Sequence, residues 1–252
     1  MKNFEITLNQ SEKIEPLGNN IGVIVSDIHR FNTDTILLAN FSMPKKNDRA
    51  VDLGSGCGTI PLIWSRENRA EKIYSVEIQK DACNMIERSI ILNNLQDKLE
   101  IINGDIKALD DKLPKGYFDL VVCNPPYKEI GKGIVSNKKG ECIARHECAC
   151  SLDDITATAS KLLQFSGRFC LCLRPSRLCD VILSMRNAKL EPKRLRFVHQ
   201  RKEKEPKLFL IEGRKGAKPE LRVMPPLYLE DESGNCSVEM KKIYGVYGDN
   251  KK

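Results

Sequence analysis

Apolar residues along this chain fall into short blocks, and the blocks alternate between two periods. "RAVDLG", "KIYSVEI", "LEIINGD" and "FDLVVCN" are runs of strand length, nearly continuous in apolar character and closed by small or polar residues. Between them stand segments with helical spacing. "TDTILLANF" has Asn32 or Thr33 as its N-cap, and "TIPLIWSREN" predicts a short helix. In "DACNMIERSIILNNL", Met85, Ile86, Ser89, Ile90 and Asn93 fall near one face. "SLDDITATASKLLQFSG" opens with the capping-box pair Ser151 and Asp154 and is expected to close at Gly167. "RFCLCLRP" then predicts a strand and "SRLCDVILSMRNAKL" a helix. "KRLRFVHQ" and "KLFLIEGRK" are two further strands, with only the charged link "RKEKEP" between them. Residues 1–20 have no such period and are expected to be a polar lead-in, and Lys128 to Cys150 a long polar connection.

Strands that are apolar on both faces and alternate with helices form a parallel sheet covered on both sides. A short link cannot make a parallel crossover, so the last two strands are a hairpin that puts one antiparallel strand into the sheet. No repeat or second domain interrupts the pattern, so residues 1–252 are expected to be one α/β domain. Composition supports a globular chain, with 41% hydrophobic residues. No apolar run is long enough to span a bilayer. "MKNFEITLNQSEKIE" has no apolar core of a signal peptide, so a cytoplasmic location is expected. In that setting the ten cysteines read as reduced, mostly buried thiols. The CxC pairs at Cys148/Cys150 and Cys170/Cys172 lack the spacing of a structural zinc site, and no metal is expected.

The net charge is +7, and its distribution changes the picture. Residues 186–222 hold 13 Lys and Arg against 5 Asp and Glu, while the rest of the chain holds 28 against 29. A concentrated cationic stretch suits a polyanionic partner such as a nucleic acid, or else is a solvated face. Arg194, Arg196 and Arg201 stand within it as candidate phosphate contacts.

The first of the apolar strands runs into "VDLGSGCGTIPL". Gly54, Gly56 and Gly58 lie between strand and helix, where bare backbone approaches a ligand closely. The spacing is not that of a dinucleotide loop, because residue 59 is Thr. Asp52 at the strand end suits a cationic group better than a phosphate. Glu77 ends the second strand, where an acid can accept both hydroxyls of a ribose. Asp105 follows the third and can accept from the amine of an adenine. Singly, each is an ordinary strand-end residue. Together, at the carboxyl ends of successive strands, they describe a ligand with an amino-acid end, a ribose and an adenine, the parts of S-adenosylmethionine.

The fourth strand delivers Asn124, Pro125, Pro126 and Tyr127 into the same crevice. An amine conjugated to a ring or a carbonyl is a poor nucleophile because its lone pair is delocalised. Two acceptors aimed at its hydrogens favour the pyramidal geometry of methyl transfer. The Asn124 side-chain oxygen and the Pro125 carbonyl can be those acceptors, and the prolines hold the corner rigid. Tyr127 can stack on a planar acceptor. In isolation Asn-Pro is also a common turn.

"VDLGSGCGTIPL", "SVEIQ", "NGDI" and "FDLVVCNPPYK" resemble the motifs of class I S-adenosylmethionine-dependent methyltransferases acting on amino groups. The resemblance implies a seven-stranded, mostly parallel Rossmann-like sheet with helices on both faces, its last strand antiparallel. It also implies that Ile78 and Ile106 join Asp52, the three glycines, Glu77, Asp105 and Asn124 around the cofactor. Within that family the chain is most similar to bacterial tRNA1(Val) adenine-37 N6-methyltransferases, over nearly its whole length. This implies a tRNA substrate; the sequence itself gives no sign of an obligatory protein partner. "RFNTD" replaces the usual lead-in, so Arg30, Phe31 and Asp34 are candidates for the edge of the cofactor pocket, with Asp34 equally a first-turn helix acid; Arg145 and His146, at the end of the long connection, are either surface residues or substrate contacts. Release-factor glutamine methyltransferases share NPPY but carry a helical domain before the glycine loop, for which the 53 residues before Gly54 leave little room. A DNA adenine methyltransferase needs a longer recognition region. A non-catalytic RNA-binding protein on the same scaffold would not need the intact acids and Asn124. A nicotinamide dehydrogenase is disfavoured by the glycine spacing.

Overall fold

A computed structural model describes residues 6–125 and 150–248. Its centre is a sheet of seven long strands. They are β3 (Arg49–Leu53), β4 (Lys72–Glu77), β5 (Leu99–Asn103), β6 (Phe118–Cys123), β7 (Leu163–Leu173), β8 (Leu190–His199) and β9 (Pro206–Lys215). The spatial order is β8-β9-β7-β6-β3-β4-β5. β9 alone runs against its neighbours, inserted between β7 and β8 as the second strand of the hairpin. Two short strands, β10 (Arg222–Val223) and β11 (Leu227–Tyr228), pair with β8. The described sheet therefore has nine strands rather than seven, and the added pair covers an edge that would otherwise be open.

Alternation along the strands sorts side chains onto two faces. One face packs on α1 (Thr33–Phe41), α2 (Thr59–Arg66), α3 (Lys80–Leu92) and the C-terminal α6 (Val238–Gly248). The other packs on α4 (Leu152–Leu162) and α5 (Leu178–Asn187). Trp64 is fully buried on the first face, and its indole N–H donates to the Ala39 carbonyl at 3.2 Å, tying α2 to α1. None of the helices among the described residues is long and apolar enough to cross a membrane.

Two sequence expectations are corrected. The lead-in is structured from Lys13: β1 (Lys13–Gly18) and β2 (Ile21–Val25) form an antiparallel hairpin. Asn19 and Asn20, both at positive φ, supply its turn, as such turns require. The face of α3 read from the sequence is what receives this hairpin. The Gly22 N–H donates to Asn93 Oδ1 at 2.8 Å and the Ile24 N–H to Ser89 Oγ at 3.0 Å. Polar residues on a buried helix face are here satisfying a strand's backbone. The second correction is the end of α4. Its capping box is present, but the helix stops at Leu162 and β7 begins at once. Ser166, at φ 63°, makes an irregularity in the pairing with β6, and Gly167 lies inside the strand rather than closing the helix.

Candidate active site

The period-two alternation brings the chemistry to one face and one edge. Ala50, Leu120, Val122, Cys170 and Cys172 all belong to the α1–α3 side of the sheet. Asp52 and Asn124 continue that register on β3 and just past β6, so they share this side with Cys172 at the carboxyl ends of their strands.

Gly54, Gly56 and Gly58 all have positive φ. Gly58 is the N-cap of α2, and a Cβ there would lie 2.9 Å from Ile86 Cγ1, so close packing on α3 requires its absence. A Cβ on Gly56 would meet nothing within 4 Å, so there the backbone borders open space. The loop is anchored on β4: the Gly54 and Ser55 N–H groups donate to the Val76 carbonyl at 2.9 and 3.0 Å. Glu77 Oε2 accepts from the Gly56 N–H at 2.8 Å and Oε1 from the Gln79 N–H at 2.9 Å. Glu77 thus braces the glycine loop as well as edging the crevice, a role the sequence did not reveal. Each of its oxygens retains a lone pair for a ligand hydroxyl.

Asp52 is 1% exposed, and neither carboxylate oxygen has a hydrogen-bond partner among the described residues. Ser55 Oγ donates to the Asp52 backbone carbonyl at 3.0 Å instead. Burial above all, with the Glu77 charge adding to it, pushes the Asp52 carboxyl up to about 7. A buried acid without a donor is costly, and a ligand cation would satisfy it. The donor set therefore fits a ligand with an ammonium end, an open glycine backbone and hydroxyls near Glu77. Asp105 lies two residues beyond β5, where its Oδ1 accepts from the Lys107 N–H at 2.9 Å. Ile106 lies beside the loop, its Cδ1 3.8 Å from where a Gly54 Cβ would be. Ile78 is half-buried, and its carbonyl accepts from Asn103 Nδ2 at 3.0 Å.

Asn124 follows β6 with its carboxamide held on both sides. Nδ2 donates to Thr35 Oγ1 at 3.0 Å, and Oδ1 accepts from the Cys172 thiol at 3.1 Å. Neither Thr35 nor Cys172 was singled out from the sequence. Pro125 is buried. Pro126, Tyr127, Arg145 and His146 lie outside the described residues. Of the lead-in residues, Arg30 pairs with Asp27, Phe31 packs against the core and Asp34 is in the first turn of α1.

The cationic stretch is not one face. β8 runs parallel to β7, so its start, with Arg186 and Lys189 before it, lies at the edge away from the crevice. The link of residues 200–205 lies at the crevice edge. The three arginines selected from the sequence have partners within the chain. Arg194 reaches the buried Glu212 at 2.7 Å and covers the Phe41 ring at 4.6 Å. Arg196 makes a bidentate pair with Glu239 at 2.7 Å, and Arg201 meets Glu230 at 2.6 Å. They tie the sheet to α1 and to the C-terminal segment. Lys202, Lys204 and Lys207 are exposed around the link, and the Lys207 ammonium donates to Gln200 Oε1. That link joins β8 and β9, which lie three and two strand spacings, about 14 and 10 Å, from β6.

Comparison with known proteins finds that the chain is similar to methyl-transferring enzymes. A family model described as Methyltransferase small domain matches residues 23–141. A tRNA1(Val) (adenine(37)-N6)-methyltransferase of Porphyromonas gingivalis is 29% identical over 194 residues, covering 73% of this chain and 74% of that protein. The enzyme of the same description from Shewanella halifaxensis is 30% identical over 161 residues, or 63% of this chain and 64% of its own length. Among solved structures, a predicted O-methyltransferase from Agrobacterium tumefaciens superimposes with a TM-score of 0.69. It is 20% identical and covers 85% of this chain and 97% of its own. A geranyl diphosphate C-methyltransferase from Streptomyces coelicolor A3(2), solved with S-adenosyl-L-homocysteine, gives 0.52 at 12% identity, covering 72% and 74%. At those identities the structural likeness is one of fold.

Proposed function

The chain belongs to the S-adenosylmethionine-dependent methyltransferases, and on that premise we propose that it methylates N6 of an adenine in tRNA, at adenine 37 in the anticodon loop of a valine tRNA. Relatives bearing that description, at 25–30% identity, support the reading. The observation that carries it is the Asn124 carboxamide, clamped at the carboxyl end of β6 on the same side of the sheet as the buried Asp52.

When bound, the cofactor supplies a methyl group made electrophilic by its sulfonium. The chain does the rest by binding and orientation. Asp52 receives the ammonium of the amino-acid end, Glu77 the ribose hydroxyls and Asp105 the adenine amine, while the glycine loop lets backbone approach. Asn124 Oδ1 and the Pro125 carbonyl accept from the two N6 hydrogens of the target base. This draws the amine out of conjugation and aims its lone pair. The Asn124 carboxamide is held by Thr35 and Cys172 before the substrate arrives, so little reorganisation of that acceptor is needed at the reacting moment. Tyr127 is assigned the stacking role on the base. An anticodon-loop base is unpaired, so bringing it into the crevice avoids part of the few kcal/mol needed to flip a paired one. Lys202, Lys204 and Lys207 are assigned to RNA phosphates beyond the crevice.

The test is incubation with unfractionated tRNA and methyl-labelled cofactor, then nucleoside analysis. N6-methyladenosine in a valine tRNA is expected. Label in another nucleoside, or in a glutamine-containing release-factor peptide but not in tRNA, would overturn the assignment.

A further inference from the structure

We propose that Thr35 is a positioning residue that sets which way the Asn124 carboxamide faces, relaying the polarity of the α1 cap to the catalytic amide. The inference rests on the reading above, in which Asn124 Oδ1 accepts from the target amine.

The relay begins at an atom whose hydrogen-bond sense is fixed. The backbone N–H of Thr35 can only donate, and it meets the Asn32 side chain at 3.0 Å. That atom of Asn32 is therefore the oxygen, an acceptor only. Thr35 Oγ1 lies 3.1 Å from the same oxygen, so the hydroxyl proton points to Asn32. Only lone pairs remain on Thr35 Oγ1 for its other neighbour, 3.0 Å away on Asn124, and that neighbour must be the donor Nδ2. The carboxamide oxygen is thereby turned to the opposite side, where the Cys172 thiol, a weak donor, approaches at 3.1 Å. A carbonyl oxygen accepts two hydrogen bonds, so one position stays available to the acceptor amine.

With the amide reversed, two acceptors would face each other at the Thr35 contact, and Nδ2 would meet the acceptor amine donor to donor. Both ends of the relay are rigid. Thr35 is β-branched and sits in the first turn of α1, and Asn124 directly follows β6. A helix cap is in this way coupled to a residue 89 positions later in the chain.

The experiment compares Thr35→Val, which keeps the shape and removes the hydroxyl, with Thr35→Ser, which keeps the hydroxyl. Each is made in the wild-type and the Asn124→Ala background. Thr35→Val should lower kcat by up to about a hundredfold, as a misplaced reacting group does. The KM for tRNA and the S-adenosylhomocysteine dissociation constant should stay within about twofold, because uniform binding is untouched. Thr35→Ser should recover most of the rate, and in the Asn124→Ala background Thr35→Val should cost nothing further. Proton–nitrogen correlation spectra give a readout independent of turnover. The side-chain amide signals that disappear in Asn124→Ala should shift in Thr35→Val and return in Thr35→Ser. Unmoved amide signals, an undiminished kcat in Thr35→Val, or an additive loss in the double variant would overturn the relay. Wild-type protein that methylates no tRNA adenine would overturn the functional reading instead, while the amide signals would still decide the relay.

Discussion

Replacing Asp52 by Asn removes a buried charge that nothing among the described residues satisfies, and its consequences can be worked out with their signs. The carboxyl has an ordinary value of 3.8 and is pushed up to about 7 in the folded protein. Below 3.8 it is protonated in both states and costs nothing. As pH rises from there, the unfolded chain releases the proton while the folded one keeps it, so stability falls. Above about 7 the penalty is complete. The interval corresponds to roughly 4 kcal/mol, using 1.4 kcal/mol per tenfold. Asp52→Asn should therefore stabilise the protein without cofactor near neutrality by a few kcal/mol and flatten the decline. Cofactor binding has the opposite sign. An ammonium beside Asp52 favours its ionised form, so at about pH 6 binding should release close to one proton and tighten as pH rises toward 7. The assays are thermal unfolding across this range for both proteins, and calorimetric titration with S-adenosylhomocysteine in two buffers of different ionisation enthalpy. The variant should bind more weakly and release no proton at this site. Equal affinity and equal proton release in the two proteins would refute the assignment of Asp52 to the ammonium. Parallel stability profiles would refute the buried, ionised acid itself.

Asn124→Ala should keep S-adenosylhomocysteine binding and lose about 3 kcal/mol of barrier lowering, more than a hundredfold in single-turnover rate. Normal turnover would exclude the two-acceptor mechanism. Glu77→Ala should weaken cofactor binding and also speed amide exchange at Gly56, because the loop loses its brace; weaker binding with unchanged exchange would assign Glu77 to the ligand alone. Charge reversal at Lys202, Lys204 and Lys207 should flatten the salt dependence of tRNA binding by about 0.7 in log–log slope for each phosphate no longer neutralised. Superimposable lines would place the RNA phosphates elsewhere on the protein. Arg194→Glu should instead unfold the protein more easily, since buried Glu212 would face a like charge; Arg168 at 3.5 Å still compensates Glu212, so the loss should stay below the about 3–5 kcal/mol of an unpaired buried charge. Unchanged denaturant midpoints would show that the pair contributes nothing.

Much of this protein is written in local pattern. Strands β3, β4, β6, β7 and β9 are legible because burial on both sheet faces leaves a nearly continuous apolar signature, and β5, β8 and helices α1 to α5 because shorter apolar patterns mark them between turn residues. The glycine loop, the three acids and Asn124 are legible because the carboxyl ends of parallel strands converge on one edge whatever the loops do. Three things required the folded chain. The β1–β2 hairpin begins in a polar strand, its apolar half is only five residues long, and its backbone partners, Ser89 and Asn93, lie on and at the end of a helix far along the chain. The start of β7 is hidden because Leu162 and Leu163 fit either period, and the bulge at Ser166 resets the register. The charge count marked Arg194, Arg196 and Arg201 as a polyanion site, yet their acids at 212, 239 and 230 are distant in sequence and meet them only across the sheet and at its edge. The Thr35–Asn124 hydrogen bond has the same character. A side-chain hydrogen bond leaves no periodic trace, because its energy depends on two atoms meeting in space rather than on any repeat along the chain. Composition and spacing thus decide which elements exist and which edge carries the chemistry. Tertiary packing decides which polar groups there are already satisfied and which, like the Asp52 carboxylate, have no hydrogen-bond partner among the described residues.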